Sequence, residues 1–408
     1  ETAVKQNPGV LSLVDGLVVP HIGELPATDR ARLESAIATA RAAVQEHQQW
    51  LEKELQPRAK GEFRIGRELY DEKLAFALMS PLSREEIRRR AESELVATRA
   101  KMYEVARTVL TGREGAPATP ANPTPEQQQA AIKAALEVAA SERPPRAGVV
   151  DLAKETLRET TEFVRAKDFV TVPDEPLDII LMPEFQRGVA VAYCDSPGPL
   201  DKGQSTFYAV SPIPEDWTDA QVVSFLREYN TRSIANLTIH EAMPGHYLQI
   251  AHSNRYPSTL RAMLGSGPFI EGWAVYTERV MHEQGFRAND PLMRLVQLKW
   301  YLRTITNAII DSAIHVDGMS RDDALKLMVE SGFQEEREAA GKWVRAQLTS
   351  AQLSTYFVGY QEHADMRAEA ERRGGAKFDI KRYHDTVLSF GSPPVRFVRA
   401  LLFDEPIR

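Results

Sequence analysis

The feature that most constrains the fold is a pair of histidines six positions apart with Pro-Gly between them. Residues 240–246 read His-Glu-Ala-Met-Pro-Gly-His. An α-helix turns about 100° per residue, so two residues six apart point to different sides of a straight helix. Proline removes a backbone donor and clashes with the preceding turn, and glycine adopts backbone angles that other residues avoid. We therefore predict a break or bulge at Pro244-Gly245 that returns His246 towards His240. The alternative is a helix that ends at Pro-Gly, with one core and one surface histidine.

The residue types in this region suggest a zinc site. Two neutral imidazoles and one carboxylate can hold Zn²⁺ and leave a fourth position for water. Glu271 supplies the carboxylate from an apolar, helix-periodic segment, where it is costly to bury without a partner such as a metal. Glu241 follows the first histidine, where metalloproteases carry the base that deprotonates the metal-bound water. We predict that His240, His246 and Glu271 bind Zn²⁺ and that Glu241 is the base. A surface position for Glu271 on an amphipathic helix is the alternative.

The remaining titratable residues give weaker signals. Glu278 lies seven residues after Glu271 and near the same helix face, where it could orient a ligand histidine; a surface position fits equally well. The single cysteine, Cys194, cannot form an internal disulfide and is expected in or near the core. Four histidines have no partner pattern and are predicted on the surface: His252, His282, His363 and His384.

Composition excludes several classes of protein. The chain has 408 residues, a net charge of -7 and no long basic block, so nucleic acid is not an expected partner. It has no 18-residue apolar run, so we expect no membrane span. A Gly-x-Ser-x-Gly elbow and a phosphate-binding Gly-x-x-x-x-Gly-Lys are both missing. The chain begins with Glu1 rather than methionine, so we expect it to be processed or trimmed. A periplasmic or secreted location is slightly favoured over the cytoplasm.

The chain reads as mainly α-helical, with one small sheet next to the metal-site helix. Ser83 and Glu86 form a capping box that opens a long charged helix reaching about Val109. The Pro-rich stretch 115–125 is predicted to be a loop. The region 27–113 is predicted to consist of helices, and further helices are predicted at 126–141, 149–165 and after 217. Strands are predicted at 178–182, 189–193 and 205–210. We expect a helical N-terminal region at 1–168 and a catalytic region at 169–408, in one continuous globular unit. An exposed edge of the sheet could hold an extended peptide, or the sheet could only cover the site helix.

The two metal segments resemble a bacterial family catalogued as a domain of unknown function. The resemblance is carried by His-Glu-x-x-Pro-Gly-His within 240–249 and Glu-Gly-Trp-Ala-x-Tyr-x-Glu at 271–278. Looser matches are 311–315 with Gly318 and Ala324, residues 354–359, and the strand region before the motif. The family's fold is similar to that of the helical zincin peptidases, which include angiotensin-converting enzyme, the oligopeptidases and the thermostable carboxypeptidases. Family members are typically longer at the N-terminus, so a segment that roofs the cleft is expected to be missing here.

The resemblance implies a zinc metallopeptidase that hydrolyses short peptides rather than folded proteins. It assigns His240, His246 and Glu271 to the metal and Glu241 to the base. It also matches Tyr356 and His315 to the groups that stabilise the oxyanion, although Tyr360 competes with Tyr356. The alternatives are a zinc amidase that acts on a non-peptide amide and a peptide-binding protein without turnover. The intact Glu241 argues against the second alternative, because binding alone needs no base.

Overall fold

Helices dominate the computed structural model, which describes residues 1–187, 190–201 and 203–407. The first helices are α1 Thr2–Gln6, α2 Gly9–Leu13, α3 Ala27–Trp50, α4 Gln56–Arg58, α5 Gly66–Leu78, α6 Arg84–Leu110, α7 Pro125–Ser141, α8 Val149–Lys167 and α9 Asp219–Glu228. They are followed by α10 Thr231–Glu241, α11 His246–Ser253, α12 Thr259–Met263, α13 Gly267–Glu283, α14 Pro291–His315, α15 Arg321–Lys326, α16 Glu336–Leu348, α17 Ser354–Gly374, α18 Ile380–Ser389 and α19 Val395–Phe403. Short π or 3₁₀ turns occupy Val14–Val18, Val19–Glu24, Leu51–Leu55, Glu184–Gln186, Leu327–Ser331 and Gly375–Lys377.

Capping side chains set the starts of several of these helices, and the cap at Ser83 lies where the sequence predicts one. The Ser83 hydroxyl accepts a hydrogen bond from the backbone N–H of Glu86, and α6 begins at the next residue after Ser83. Thr124 and Gln127 form a reciprocal capping box at the start of α7, directly after the Pro-rich loop. Each cap satisfies backbone donors that the first helical turn leaves unpaired. The predicted mainly helical architecture with a small sheet is confirmed.

The sheet has three short strands, β1 Leu177–Leu181, β2 Ala192–Asp195 and β3 Thr206–Val210. Their spatial order is β1-β3-β2, so β3 lies in the middle and β2 forms an edge. The first and third strands agree with the sequence prediction to within one residue. The second strand begins three residues later than predicted, and Val189, the first residue of that prediction, lies outside the described residues.

Residue contacts divide the chain into two compact units, and the first comprises residues 1–63, 180–193 and 209–211. Polar side chains tie its first helix to α3. The Asn7 amide donates to the carbonyl oxygen of Val44 at 3.1 Å and to the Gln48 side chain at 2.9 Å. Gly9 lies against the backbone of Phe185, where an added Cβ would come within 2.9 Å of two backbone atoms. A side chain at position 9 would therefore push α2 away from the Glu184–Gln186 turn.

The second unit comprises residues 64–179, 194–208 and 212–408 and contains α5 to α19. Its centre is α14, which is buried along most of its length and packs against α6, α10 and α17. Asp311 on α14 is fully buried, and its carboxylate accepts hydrogen bonds from the backbone N–H groups of Ala351 and Ser354 and from the Ser354 hydroxyl. Asp311 therefore fixes the start of α17 and, with it, the position of Tyr356.

Helices α13 and α17 approach each other through two glycines. A Cβ on Gly272 would overlap the backbone of Gly359, and a Cβ on Gly359 would overlap the carbonyl oxygen of Pro268. Only hydrogen atoms at these two positions allow backbone-to-backbone contact at the crossing. Glu271 directly precedes Gly272, so the close approach of the two helices fixes the position of the Glu271 carboxylate.

The prediction that His363 and His384 lie on the surface is wrong, because each is only 1% exposed. The Nδ1–H of His384 donates to the carbonyl oxygen of Phe169 at 2.7 Å, and its Nε2 accepts from the Tyr276 hydroxyl at 2.8 Å. His363 Nε2 donates to the carbonyl oxygen of Phe269 at 3.0 Å. Burial lowers the pKa of each imidazole to about 4, so both are neutral core residues.

His252 and His282 lie at intermediate depth rather than on the open surface. His252 Nε2 lies 2.8 Å from the carbonyl oxygen of Thr171, to which it donates. Burial lowers the pKa of His282. These two side chains are therefore also partly packed, and the surface prediction does not describe them well.

None of the helices in the described part of the chain combines the length and the apolar character that crossing a lipid bilayer requires.

Candidate metal centre

The helix break predicted at Pro244-Gly245 is confirmed. Helix α10 ends at Glu241, α11 begins at His246, and the Met243–Pro244 peptide bond between them is cis. An added Cβ on Gly245 would overlap the carbonyl oxygen of His240, so the return of the chain requires glycine. The Trp273 indole N–H donates to the carbonyl oxygen of Pro244 at 2.9 Å and holds the turn against α13. The two imidazoles end with their centroids 4.8 Å apart.

The three predicted metal ligands converge. Glu271 Oε2 lies 3.6 Å from His240 Nε2 and 3.4 Å from His246 Nε2, and ligand atoms of all three residues lie within 4.8 Å of one another. Zinc bonds of about 2.0–2.2 Å in a tetrahedron place ligand atoms roughly 3.4 Å apart. The two observed separations from Glu271 match that spacing, so Glu271 lies where it could share a Zn²⁺ with either histidine.

Two buried atoms in this cluster, Glu271 Oε2 and His246 Nδ1, have no hydrogen bond among the described residues. Glu271 Oε2 is buried and accepts none within the part of the chain that the structure describes, although two imidazole nitrogens face it. A buried carboxylate oxygen without a donor carries a large desolvation cost. A cation between Oε2 and the two Nε2 atoms removes that cost. The residues present therefore fit a bound Zn²⁺, with a mixed nitrogen and oxygen donor set that this ion commonly takes.

Glu278 orients the first ligand histidine. Its Oε1 lies 2.8 Å from His240 Nδ1, and its Oε2 accepts from the Asn236 amide at 2.8 Å. A carboxylate only accepts, so His240 Nδ1 carries a proton and donates it. The neutral ring then presents the Nε2 lone pair to the cluster, which is the form that binds a metal. Glu278 is 3% exposed, so its role in orienting His240 is favoured over the surface position that the sequence left open.

The electrostatics of the cluster favour positive charge. Burial opposes the imidazolium of His240, but Glu271 and Glu278 outweigh burial and raise the pKa of His240 to about 10. Burial also opposes the ionised form of Glu271, but His240 and His246 outweigh it and hold the pKa of Glu271 well below its usual range. The site is therefore built to hold a cation beside an ionised carboxylate, and a metal and a proton compete for it.

Glu241 is the last residue of α10 and is 7% exposed. It directly follows His240, and its charge adds to the rise in the pKa of that histidine. Its charge also reaches Cys194: burial, with a contribution from Glu241, raises the pKa of the Cys194 thiol to about 12. Cys194 is half-buried, close to the near-core position expected from the sequence.

Tyr356 also lies next to the ligand cluster. Its ring is stacked on His240 with centroids 6.4 Å apart, and its side chain is partly exposed. The phenol oxygen accepts from Arg345 at 2.9 Å and from Gln352 at 3.4 Å. Both acceptor positions are then used, which leaves the phenol's own proton free to donate. Burial first, and then the charge of Glu271, raise the pKa of Tyr356 to about 12, so the phenol keeps that proton at neutral pH.

The other two predicted oxyanion donors have different partners. His315 is 2% exposed, and its Nε2 donates to the carbonyl oxygens of Ala346 and Thr349 at 2.9 and 2.8 Å. The Tyr360 hydroxyl accepts from Arg279 at 3.3 Å, and its ring lies 4.5 Å from that of Tyr301. His315 thus anchors the end of α16, and Tyr360 packs between helices.

Sequence reasoning missed three residues around this site: Asn236, Arg345 and Gln352. Asn236 lies one helical turn before His240 on the same face of α10, and this spacing could have identified it as a neighbour of the metal ligands. Arg345 is 11 residues before Tyr356 and on a different helix, so no spacing rule connects them.

The fold and the site together define a mainly helical protein with a candidate His-His-Glu metal centre. The chain belongs to the bacterial family described as "Bacterial protein of unknown function (DUF885)", whose model matches residues 1–402. No curated protein matches the sequence.

Two solved structures are similar to this chain. A protein from Shewanella oneidensis described as a "putative lipoprotein of unknown function" is 34% identical, with a TM-score of 0.76. The match covers 98% of this chain and 72% of that one. A "putative lipoprotein" from Colwellia psychrerythraea is 22% identical, with a TM-score of 0.74 and coverage of 96% and 68%. At that identity the second likeness concerns the fold alone.

Proposed function

We propose that this protein is a zinc-dependent peptidase that hydrolyses amide bonds of short peptides. The observation that carries the proposal is the buried Glu271 Oε2, which accepts no hydrogen bond from the described residues and lies 3.4 and 3.6 Å from two histidine Nε2 atoms. The similarity expected between this family's fold and that of the helical zincin peptidases supports the same function. A bound zinc supplies an acidified water and polarises the substrate carbonyl.

The chain's own residues supply the remaining chemistry. The Glu241 carboxylate accepts a proton from the attacking water and passes it to the leaving amine. The Tyr356 hydroxyl, with its oxygen held by Arg345 and Gln352, donates to the oxygen on which negative charge develops. Glu278 keeps His240 in the tautomer that leaves Nε2 unprotonated. Tyr356 is a better donor than His315, because His315 Nε2 already donates to two backbone carbonyls.

The substrate class follows from the surroundings of the site. The three ligands are at most one fifth exposed and lie on helices, so an extended strand is a better fit than a folded domain. We propose that an extended peptide pairs with an edge strand of the three-stranded sheet. The Shewanella oneidensis protein is described as a "putative lipoprotein". We propose accordingly that this chain acts on peptides outside the cytoplasm.

The test measures metal and cleavage together. Purified protein is analysed for zinc and incubated with a mixed peptide library, with and without chelator, and the cut sites are read by mass spectrometry. We expect about one zinc per chain, cleavage that chelator abolishes, and metal loss in His240→Ala and Glu271→Ala. Glu241→Gln keeps the shape of the side chain but cannot accept a proton, so we expect it to retain zinc and lose at least a hundredfold in rate.

The alternatives give different results. Full zinc occupancy in both ligand variants refutes the metal assignment, and wild-type cleavage by Glu241→Gln refutes the base. Zinc binding with turnover of non-peptide amides alone indicates the amidase. Peptide binding without any turnover indicates the non-catalytic protein. Efficient cuts in exposed loops of a folded protein refute the proposed preference for short peptides.

A further inference from the structure

A surface cleft of about 360 Å³ is lined by residues of α6, the end of α13 and the start of α14. Its walls include the apolar groups of Val105, Ala288 and Pro291. His282 also lines this α6–α14 cleft and lies 11 residues after Glu271 on α13, which is about 16 Å along the helix axis. The cleft is therefore a second site, separate from the candidate metal centre.

Three charged residues in the lining of the cleft are each matched by an opposite charge. The pairs are Glu104 with Arg107 at 2.9 Å, Arg287 with Glu159 at 2.9 Å, and Asp290 with Arg232 at 2.6 Å. These three pairs add no net charge to the cleft. The charge that the cleft presents to a ligand therefore depends on the fourth charged residue of its lining, Arg294.

Arg294 forms no ion pair among the residues that the structure describes. Its guanidinium is partly buried and donates to the neutral Gln297 side chain at 2.6 Å. Burial lowers the pKa of Arg294, and the charge of Arg279 adds to that effect. Tyr360 and Glu283 oppose the shift without cancelling it, and Glu283 is itself paired with Arg279 at 2.6 Å. A partly buried cation in this state is stabilised by an anion that binds beside it.

His282 provides a second polar group in the same cleft. Its ring forms no hydrogen bond within residues 1–187, 190–201 and 203–407, and it is half-buried. Burial first, and then the charge of Arg294, lower the pKa of His282, so the ring is neutral at pH 7 and carries one N–H donor. An anion in the cleft supplies the opposite charge that Arg294 lacks and can accept from this N–H.

The charge and the walls of the cleft define the class of ligand. One guanidinium without an ion pair favours a monoanion, and the carboxylates of Glu104 and Asp290 in the lining disfavour a dianion such as phosphate. A carboxylate matches the planar guanidinium and can accept two parallel hydrogen bonds from it. The apolar groups in the lining favour a ligand whose remaining part is aliphatic.

We propose that the α6–α14 cleft binds a small aliphatic monocarboxylate, with Arg294 as its cation and His282 as a second donor. The cleft lies near the lower end of the range of about 300–1,000 Å³ that is typical of small-molecule sites, so an acid of about six carbon atoms fits. Binding needs neither zinc nor turnover, so the site does not depend on the proposed peptidase function.

Calorimetric titration with 4-methylpentanoate tests the ligand class. The amide of this acid lacks the charge and acetate lacks most of the aliphatic body, so both are titrated in parallel. We expect the acid to bind with a Kd of about 1 mM or lower, and at least about tenfold more tightly than either analogue. Equal affinity for the acid and its amide, or tighter binding of inorganic phosphate, would overturn the proposal.

Variants then locate the bound acid. Arg294→Gln removes the charge and should lower the affinity at least about tenfold. Ala288→Glu adds a carboxylate at an exposed position of the lining, where folding is not at risk, and should have a similar effect. Arg382→Gln is the matched control, since Arg382 is exposed on α18, and should keep the wild-type affinity. Wild-type affinity in both cleft variants would overturn the assignment to this cleft.

A variant of the candidate metal centre separates the two sites, because carboxylates also bind zinc. Glu271→Ala, which should lose zinc, is expected to bind 4-methylpentanoate as tightly as the wild type does. Loss of binding in Glu271→Ala with wild-type binding in Arg294→Gln would place the acid on the metal and overturn the proposal. Binding by Glu271→Ala supports the cleft whether or not the protein cleaves peptides, so failure of one proposal is distinguishable from failure of the other.

Discussion

The hydrogen bond between Glu278 and His240 gives a sharp test of the metal centre. Glu278 receives two buried donors, His240 Nδ1–H and the Asn236 amide, each at 2.8 Å. In Glu278→Gln the side chain keeps one acceptor oxygen and gains an NH₂ group in place of the other. Only one of the two donors, His240 Nδ1–H or the Asn236 amide, can then still donate to residue 278. The Asn236 side chain can turn over, because its own oxygen is buried, accepts no hydrogen bond from the described residues and can accept from the new NH₂. His240 then keeps an acceptor but loses the negative charge behind it.

The expected loss follows from that charge. A hydrogen bond to a charged group contributes about 1.5–3 kcal/mol, and a neutral one about 1 kcal/mol. Groups that support metal-binding histidines typically change metal affinity by about 10–100-fold, or roughly 1.4–2.8 kcal/mol. We expect Glu278→Gln to weaken zinc binding by about tenfold, near the lower limit because Asn236 can adapt. Glu278→Ala, which leaves both buried donors unpaired, should come closer to a hundredfold.

The assay is a competition titration of zinc against a chromophoric chelator at constant pH. Glu283→Gln is the matched control, since Glu283 is on the same helix but pairs with Arg279 and Arg367. That control should keep the wild-type zinc affinity. If both Glu278 variants also bind zinc as the wild type does, Glu278 does not set the state of His240 and the geometric argument is wrong.

Three further predictions concern stability and reactivity. Gly359→Ala forces a Cβ into the Pro268 carbonyl and should lower the unfolding free energy by several kcal/mol in urea denaturation, whereas Gly341→Ala on an open helix face should not. His363 and His384 have pKa values of about 4 when folded and near 6.5 when unfolded, so the unfolded chain binds more protons between those values. Each should therefore cost about 2 kcal/mol of stability between pH 7 and pH 5, and a flat profile of unfolding free energy over that range would contradict the assignment. With a pKa of about 12, the Cys194 thiol should stay unmodified by iodoacetamide at pH 8 in the folded protein and react after unfolding; rapid alkylation of the folded protein would count against its burial.

Local chemistry made much of the fold predictable. Ser83 satisfies an unpaired helix donor, so α6 begins where the sequence indicates. The Pro-Gly pair cannot continue a helix, and the break occurs between Glu241 and His246. These features depend on a few neighbouring residues, which is why the sequence alone can reveal them.

Features that depend on distant parts of the chain could not be predicted in this way. His384 is buried because the Phe169 carbonyl and the Tyr276 hydroxyl complete its hydrogen bonds, and both partners lie more than 100 residues away. The partnership of Arg345 and Tyr356 depends on how α16 and α17 pack. A histidine or arginine carries no local signal that distinguishes a core position of this kind from a solvated one.

The close crossing of α13 and α17 lies next to the candidate metal centre. Gly272 follows Glu271 directly, and Gly359 lies three residues after Tyr356, about 4.5 Å along the helix axis. If α17 tilts by about 10° around that contact, the backbone at Tyr356 moves by less than about 1 Å. The far end near Gly374, about 22 Å away, would swing by about 4 Å. A tilt of α17 about the two glycines would therefore be felt mainly at the outer end of the helix, and the phenol would stay close to the metal ligands.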